Sequence, residues 1–390
     1  MTIDWHYPRR ELTDQFLTTF ESGVSNTLTL FAPRRMGKTE FILYDLIPAA
    51  EKTGYRPIYV SFWEIPNDPS ECLRLGLDRA IKDMSWLEKR RSAQTRVDKV
   101  RVGGGMGPTE GFTAAAEVGL TPNEPDTQTL GQIRHSFEGL AKSRRNNKIL
   151  LCLDEVQHLA TDRAFEPLVF FLRTLLDENR DSLRIVFTGS SRDGLQRLFN
   201  RRKAPLFRSS SQVDLPDLGS GFVRHMLSAF DKATARTIDF TNALNAFYLL
   251  NRVPRDFRAV IEHMVLSGET DITTVTEGYR RLSVDESEFQ RIWSKLKPID
   301  QALLTWIARD RGGPYQEEGR DYIAQWLGME KSALQTHAIQ NSLNRLRGSY
   351  LAPVEQGIWV YEDQDFKNWV MEAFNDIDTV EQPQDGSDWD

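Results

Sequence analysis

Four stretches of the chain carry apolar residues at a density that a one-sided element does not need: TLTLFA at 27–32, PIYVSFW at 57–63, KILLCLDE at 148–155 and LRIVFTGSS at 183–191. The first is a short β-rich run. The other three have too many consecutive apolar positions for a strand with one wet face, so they are predicted as strands buried on both faces. Helical spacing fills the intervals. GKTEFILYDLIPAAEK places Phe41, Ile42, Leu46 and Ile47 on one side, and SECLRLGLDRAI, LGQIRHSFEGLAKSRR and FEPLVFFLRTLLDEN follow the same period. Strands alternating with helices predict an α/β core with a parallel sheet and right-handed crossovers.

One segment interrupts the alternation. KVRVGGGMGPTEGFTAAAEVGLTPNEPDTQ, about 99–128, clusters glycines with short alternating apolar positions and reads as an inserted loop or hairpin; a plain connector and an assembly hairpin are both open. After residue 217 the texture turns helical, with GFVRHMLSAF, ALNAFYLL, PRDFRAVIEHMVL and VTEGYRRL. A third unit begins near residue 289. Ile299, Leu303, Leu304 and Ile307 mark one face of its first long helix, two further helices follow, and LAPVEQGIWVYED reads as two short strands around Glu355-Gln356-Gly357. Three helices and a β-ribbon make a winged helix-turn-helix. The predicted division is a core at 1–217, a small helical lid at 218–288, a winged helix at 289–375 and an acidic disordered tail at 376–390.

The bulk numbers fit this picture. With 390 residues, 40% hydrophobic and 27% charged, the chain needs no covalent staples, and Cys72 and Cys152 read as small core residues in a reducing compartment. No window approaches the ~18 apolar residues of a spanning helix and the N-terminus lacks a basic–apolar leader, so the expectation is a cytoplasmic protein with no membrane partner. A net charge of −7 argues against non-specific coating of nucleic acid, while leaving a local basic face open.

The candidate chemistry begins at APRRMGKTE, Ala32 to Glu40. A loop after a strand that opens a helix is a cradle for phosphates, its N–H groups and the helix N-terminus pointing at the anion. Within Ala32, Pro33, Arg34, Arg35, Met36, Gly37, Lys38, Thr39 and Glu40, Gly37 allows close backbone approach, Lys38 reaches the outer phosphates and Thr39 supplies a hydroxyl to Mg²⁺. Ala32 stands where the pattern has its first glycine, and Pro33 stiffens the turn after it. ILLCLDE supplies the second element: Asp154 to hold the metal through water, Glu155 to polarise the attacking water. Thr188, Ser190 and Ser191 end the neighbouring strand as candidate γ-phosphate sensors, or as plain strand-end polar residues.

Taken together, these residues resemble P-loop ATPases of the AAA+/STAND superclass, and within it the archaeal-type ATPase family with a C-terminal winged helix. APRRMGKT is similar to that family's GxRRxGKT loop and LDEVQHL to its catalytic strand end. FTGSS resembles its sensor segment, HYPRRELTDQF its opening helix near the adenine, and IWVYEDQDFKNWVMEAF its closing wing strand and last helix. The resemblance implies ATP and Mg²⁺ as cofactors, a catalytic set of Glu155, Lys38, Ser190 and a trans-acting Arg208, and a lid motif with Pro254 on the adenine and Arg258 sensing phosphates. Two departures stand out. The loop's first glycine is Ala32, and the turn Leu206-Phe207-Arg208 lacks the family's glycine, which leaves Arg197, Arg201 and Arg202 as competitors for the finger role.

The recognition helix carries Lys331, Gln335, His337, Gln340, Asn341, Asn344, Arg345 and Arg347, a mildly basic face able to reach duplex DNA, whereas Glu362, Asp363 and Asp365 beside the wing oppose it. The expected function is an ATP-hydrolysing switch that forms homo-oligomers and engages DNA or an effector protein, in the manner of defence or mobile-element regulators. A DNA-bound initiator that holds ATP with little turnover is the alternative.

Overall fold

The computed structural model describes residues 3–93, 124–125, 127–141, 148–200, 204–283, 286–355 and 357–374. Most of the glycine-rich segment, the arginines at 201 and 202, and the acidic tail lie outside the described residues.

Helix α1 (Arg10–Glu21) leads into strand β1 (Thr27–Phe31) and the loop before α2 (Lys38–Glu40), which continues through a π-helical segment, Phe41–Leu46, into α3 (Ile47–Lys52). Strand β2 (Tyr55–Ser61), α4 (Pro69–Ala93), α5 (Thr127–Ala141), β3 (Lys148–Asp154), α6 (Glu166–Glu178), β4 (Leu183–Gly189), α7 (Arg192–Phe199) and β5 (Ser211–Asp214) follow. The five strands form one parallel sheet in the order β2-β3-β4-β1-β5. After β1 the chain crosses to the far edge, and after β4 it crosses back over β1. The strand tips at this reversal form the crevice where open α/β sheets hold their ligands.

Alternation along the central strands explains their apolar density. In β3, Ile149, Leu151 and Leu153 pack with α4, α5 and α6 on one face, while Leu150 and Cys152 pack with α1 and the loop-bearing helix on the other. Cys72 and Cys152 are both free and buried. Strand β2 differs from expectation. It starts and ends two residues earlier, and it alternates between buried Ile58 and Val60 and half-buried Arg56, Pro57 and Tyr59, because it is the sheet's edge, where a proline is tolerated. Strand β5, a short and mostly exposed edge, has no apolar signature at all.

Helices α8 (Ser220–Thr234), α9 (Phe240–Leu249), α10 (Pro254–Ser267) and α11 (Ile272–Ser283) close around their own cluster, with Phe222, Phe230, Phe247 and Phe257 at its centre. Helices α12 (Glu286–Lys295), α13 (Pro298–Ala308), α14 (Glu317–Trp326), α15 (Thr336–Leu346) and α16 (Gln364–Ala373) surround another, with Leu303, Leu304 and Ile307 buried as the spacing predicts. The antiparallel hairpin of β6 (Leu351–Glu355) and β7 (Ile358–Tyr361) completes the winged helix. Among the described residues no helix is long and apolar enough to cross a membrane.

Candidate functional site

The loop after β1 takes its shape from two left-handed residues, Arg35 at φ 67° and Gly37 at φ 88°. Ala32 is not among them. It sits buried at the strand end, its N–H facing the Gly189 carbonyl at 3.5 Å, so the position asks for a small side chain and not for glycine's backbone freedom. Lys38 is almost fully buried and donates to the carbonyls of Ala32 (2.7 Å) and Pro33 (2.9 Å). Burial lowers its pKa, while the charges of Glu155 and Asp154 push the other way. The ammonium thus lies within the loop, facing the two carboxylates.

Asp154, at the tip of β3, collects donors from strands β2 and β4, from α2 and from the residue that follows it. Thr39 Oγ1 and Tyr59 Oη each reach Oδ2 at 2.8 Å, Thr188 Oγ1 bonds Oδ1, and the Glu155 N–H reaches Oδ1 at 3.1 Å. Burial drives the Tyr59 phenol far above its ordinary pKa, so it serves as a neutral donor. Glu155 adopts a left-handed conformation, φ 57°, which costs a non-glycine residue about 1–2 kcal/mol. Its Oε2 accepts from Ser190 Oγ at 2.9 Å and from the Gln157 amide.

The remaining sequence candidates fall in several places. Glu40 pairs with Arg258 of α10 at 3.4 Å, which brings the lid to the start of the loop-bearing helix. Pro254 is buried at the first turn of α10, and Val253 before it packs on the cluster that contains Ala32 and Met36. Arg34 lies over the Trp63 ring at 6.0 Å. Arg35 pairs with Asp365 (2.9 Å) and Asp256 (4.0 Å). Arg208 is exposed in the turn before β5, with its guanidinium over Phe207 and no bond to Lys38, Thr39, Asp154 or Glu155. Arg197 is tied to Asp193 at 2.7 Å. Of the three strand-end hydroxyls, Thr188 serves Asp154, Ser190 serves Glu155, and Ser191 caps α7.

Several participants have no sequence signal for their individual role. Tyr59 sits in an ordinary-looking run, and Gln157 is inside LDEVQHL, where the sequence assigns a role only to the carboxylates. Arg9 donates to the Met36 carbonyl at 3.1 Å from outside the loop altogether. Glu362 and Asp365 read in sequence only as charges unfavourable to DNA. In the fold, Glu362 accepts from Ser191 Oγ (3.0 Å) and from the backbone N–H groups of Arg192 (3.2 Å) and Asp193 (3.0 Å), filling the N-terminus of α7. Arg347 to Asp193 and Gln196 to the Pro353 carbonyl (2.6 Å) join the winged helix to the same helix. Burial raises the pKa of Glu362 despite these donors.

The donor set suits a hard cation. A hydroxyl and a carboxylate, Thr39 and Asp154, converge at the mouth of the loop, and Mg²⁺ typically takes one or two such protein ligands with water and phosphate oxygens completing its shell.

No family model matches the chain, and no curated protein matches it. Solved structures do. The Walker-type ATPase paby2304 of Pyrococcus abyssi superposes with a TM-score of 0.56 at 17% identity, covering 95% of this chain and 99% of that one. The Aeropyrum pernix ORC2 protein matches in its ADP form at 0.55 and 13% identity, covering 95% and 97%, and in its ADPNP-ADP complexes at 0.53 and 12%, covering 96% and 98%. With its sheet order, the loop after β1 and the terminal hairpin, the chain shares its fold over nearly the full length with the Walker-type ATPase paby2304.

Proposed function

We propose that the protein is a Mg²⁺-dependent ATPase that works as a switch, its nucleotide state setting the arrangement of core (1–217), lid (218–288) and winged helix (289–375) and the association of copies. The observation that carries this reading is the convergence on Asp154 of Thr39 from the loop, Tyr59 from β2 and Thr188 from β4, with Glu155 and buried Lys38 beside it.

The loop N–H groups and Lys38 hold the β- and γ-phosphates, and Lys38 exchanges its carbonyl partners for phosphate oxygens when the nucleotide enters. Thr39, and Asp154 across water, would hold Mg²⁺, which when bound would supply charge neutralisation for those oxygens. Glu155 accepts a proton from the attacking water; the water oxygen bonds to the γ-phosphorus as the bridging P–O bond breaks, and ADP leaves with the electron pair. Pro254 and Arg258 bring the lid to the nucleotide. Arg208, exposed with its guanidinium over Phe207, is suited to complete a neighbouring copy's site.

DNA engagement ranks below a protein partner, because the basic residues of the recognition region are tied to carboxylates: Lys331 to Glu317 and Asp321, Arg345 to Asp300, Arg347 to Asp193. The deciding experiment is ATP turnover by the wild type and Lys38→Ala, with and without duplex DNA, with assembly size recorded. The expected result is turnover in the wild type, a loss of at least about a hundredfold in the variant, and indifference to DNA. Wild-type protein that neither binds nor hydrolyses ATP would end this reading.

A further inference from the structure

Gln157 lies two residues beyond Glu155, in the 3₁₀ turn after β3, and only 8% of it is exposed. A buried amide has donors and an acceptor to satisfy, and here both ends are engaged at the site. Its Nε2 donates to Glu155 Oε2 and to Ser190 Oγ at 3.1 Å, and its Oε1 accepts the Ser190 N–H at 3.3 Å. Ser190 Oγ in turn donates to the same Glu155 oxygen at 2.9 Å. The three residues form a closed ring of hydrogen bonds. It anchors one oxygen of the Glu155 carboxylate through two donors, and Oε1 of Glu155 takes part in none of these bonds.

Two glycines make room for this side chain. A Cβ at Gly189, the last residue of β4, would stand 2.7 Å from Gln157 Oε1, and one at Gly194, in α7, would stand 2.5 Å from Gln157 Cβ. Neither glycine has a positive φ, so space is what both positions require, beside Gln157 at each and beside Leu195 as well at Gly189.

We propose that Gln157 is a positioning residue for hydrolysis: with Ser190 it fixes Oε2 of Glu155 so that Oε1 is presented to the attacking water. This rests on the ATPase reading above. Gln157 touches neither the loop nor Lys38, so its loss acts on the rate of the chemical step and leaves nucleotide affinity alone.

The test compares wild type, Gln157→Met, Ser190→Ala and the double variant. The methionine keeps the length and bulk of the side chain and removes the amide. Binding of a fluorescent ATP analogue is measured first, then kcat and KM for ATP. The expected result is unchanged analogue affinity and KM in Gln157→Met, with kcat lower by about 10- to 100-fold, the weight of one hydrogen bond to a charged group. The double variant is expected to lose no more than the worse single, since all three residues act as one unit. Unchanged or raised kcat in Gln157→Met, fully multiplicative losses, or a fall in analogue affinity matching the fall in kcat would each overturn the assignment. Absence of analogue binding in the wild type would instead defeat the ATPase reading, and this proposal with it.

Discussion

The strand-tip site and the recognition region of the winged helix are both dense in charge, yet they treat it in opposite ways. Asp154 and Glu155 are held by neutral groups: hydroxyls of Thr39, Tyr59, Thr188 and Ser190, one amide and one backbone N–H. Neutral donors fix a carboxylate and leave its charge in place for a cation or a water proton. Around α15, by contrast, the basic side chains meet carboxylates directly. Lys331 lies 3.1 Å from Glu317 and 2.8 Å from Asp321, and Arg345 lies 2.6 Å from Asp300, itself held by Ser342. Ion pairs cancel the field a phosphate backbone would feel. One region is organised to act on a charged ligand, the other to hold itself and its neighbour together.

The largest effect expected from perturbing that contrast comes from Gly189→Ala. The added methyl meets Gln157 Oε1 at 2.7 Å and Leu195 Cδ2 at 2.8 Å, both buried, so the strand end or the amide must move. Overpacking of this kind costs about 1–3 kcal/mol, and the ring that holds Glu155 opens. Thermal denaturation should register the loss together with a fall in kcat at constant analogue affinity. Unchanged stability and turnover would mean that the site is softer than the contacts imply.

How much of this was legible in the sequence follows the same division. Strands β3 and β4, the loop and the pair Asp154-Glu155 announce themselves because a strand covered on both faces must be continuously apolar and a phosphate loop requires a particular run of backbone and side chains. Strand β5 escapes because an exposed edge needs neither. Tyr59 escapes for a different reason: it reaches the site across the sheet, and a polar residue near a strand end looks the same whether or not it has a partner there. Gln157 and Arg9 lie inside LDEVQHL and HYPRRELTDQF, but their bonds to Glu155 and to the Met36 carbonyl exist only in the folded site. Glu362 and Asp365 were legible as charge and misleading as to role. Their carboxylates meet the N-terminus of α7 and Arg35, contacts that exist only once the winged helix is placed on the core.

A smaller effect should follow from releasing a cation in the winged helix. Glu317→Gln with Asp321→Asn removes both partners of Lys331, whose pKa they raise by hydrogen bonding, and leaves the helix exposed and otherwise intact. Affinity for duplex DNA at low salt should rise severalfold, and the dependence of log K on log salt should steepen by about one unit for one new phosphate contact. No change in either would show that this face does not meet DNA even when its charge is restored, and would leave a protein partner as the occupant to pursue.

The smallest effect concerns the attachment of the N-terminal segment to the loop-bearing helix. His6 Nε2 lies 2.8 Å from Asp45 Oδ1, and the other oxygen of Asp45 accepts the Arg9 N–H at 3.1 Å, so one carboxylate ties down the residues that bring the Arg9 guanidinium to Met36. The hydrogen bond to Asp45 raises the His6 pKa above 6.5, against an opposing contribution from burial. A raised folded value means the stabilisation is fully present below the unfolded pKa and is lost as pH rises through the folded one. Amide exchange of His6, Tyr7 and Arg9 should therefore quicken as pH is raised through and beyond neutrality, after correction for the intrinsic rate, and His6→Gln should abolish that dependence while leaving exchange in β3 and β4 unchanged. A corrected profile that is flat in the wild type would mean that Arg9 and Asp45 hold the segment without help from the imidazolium.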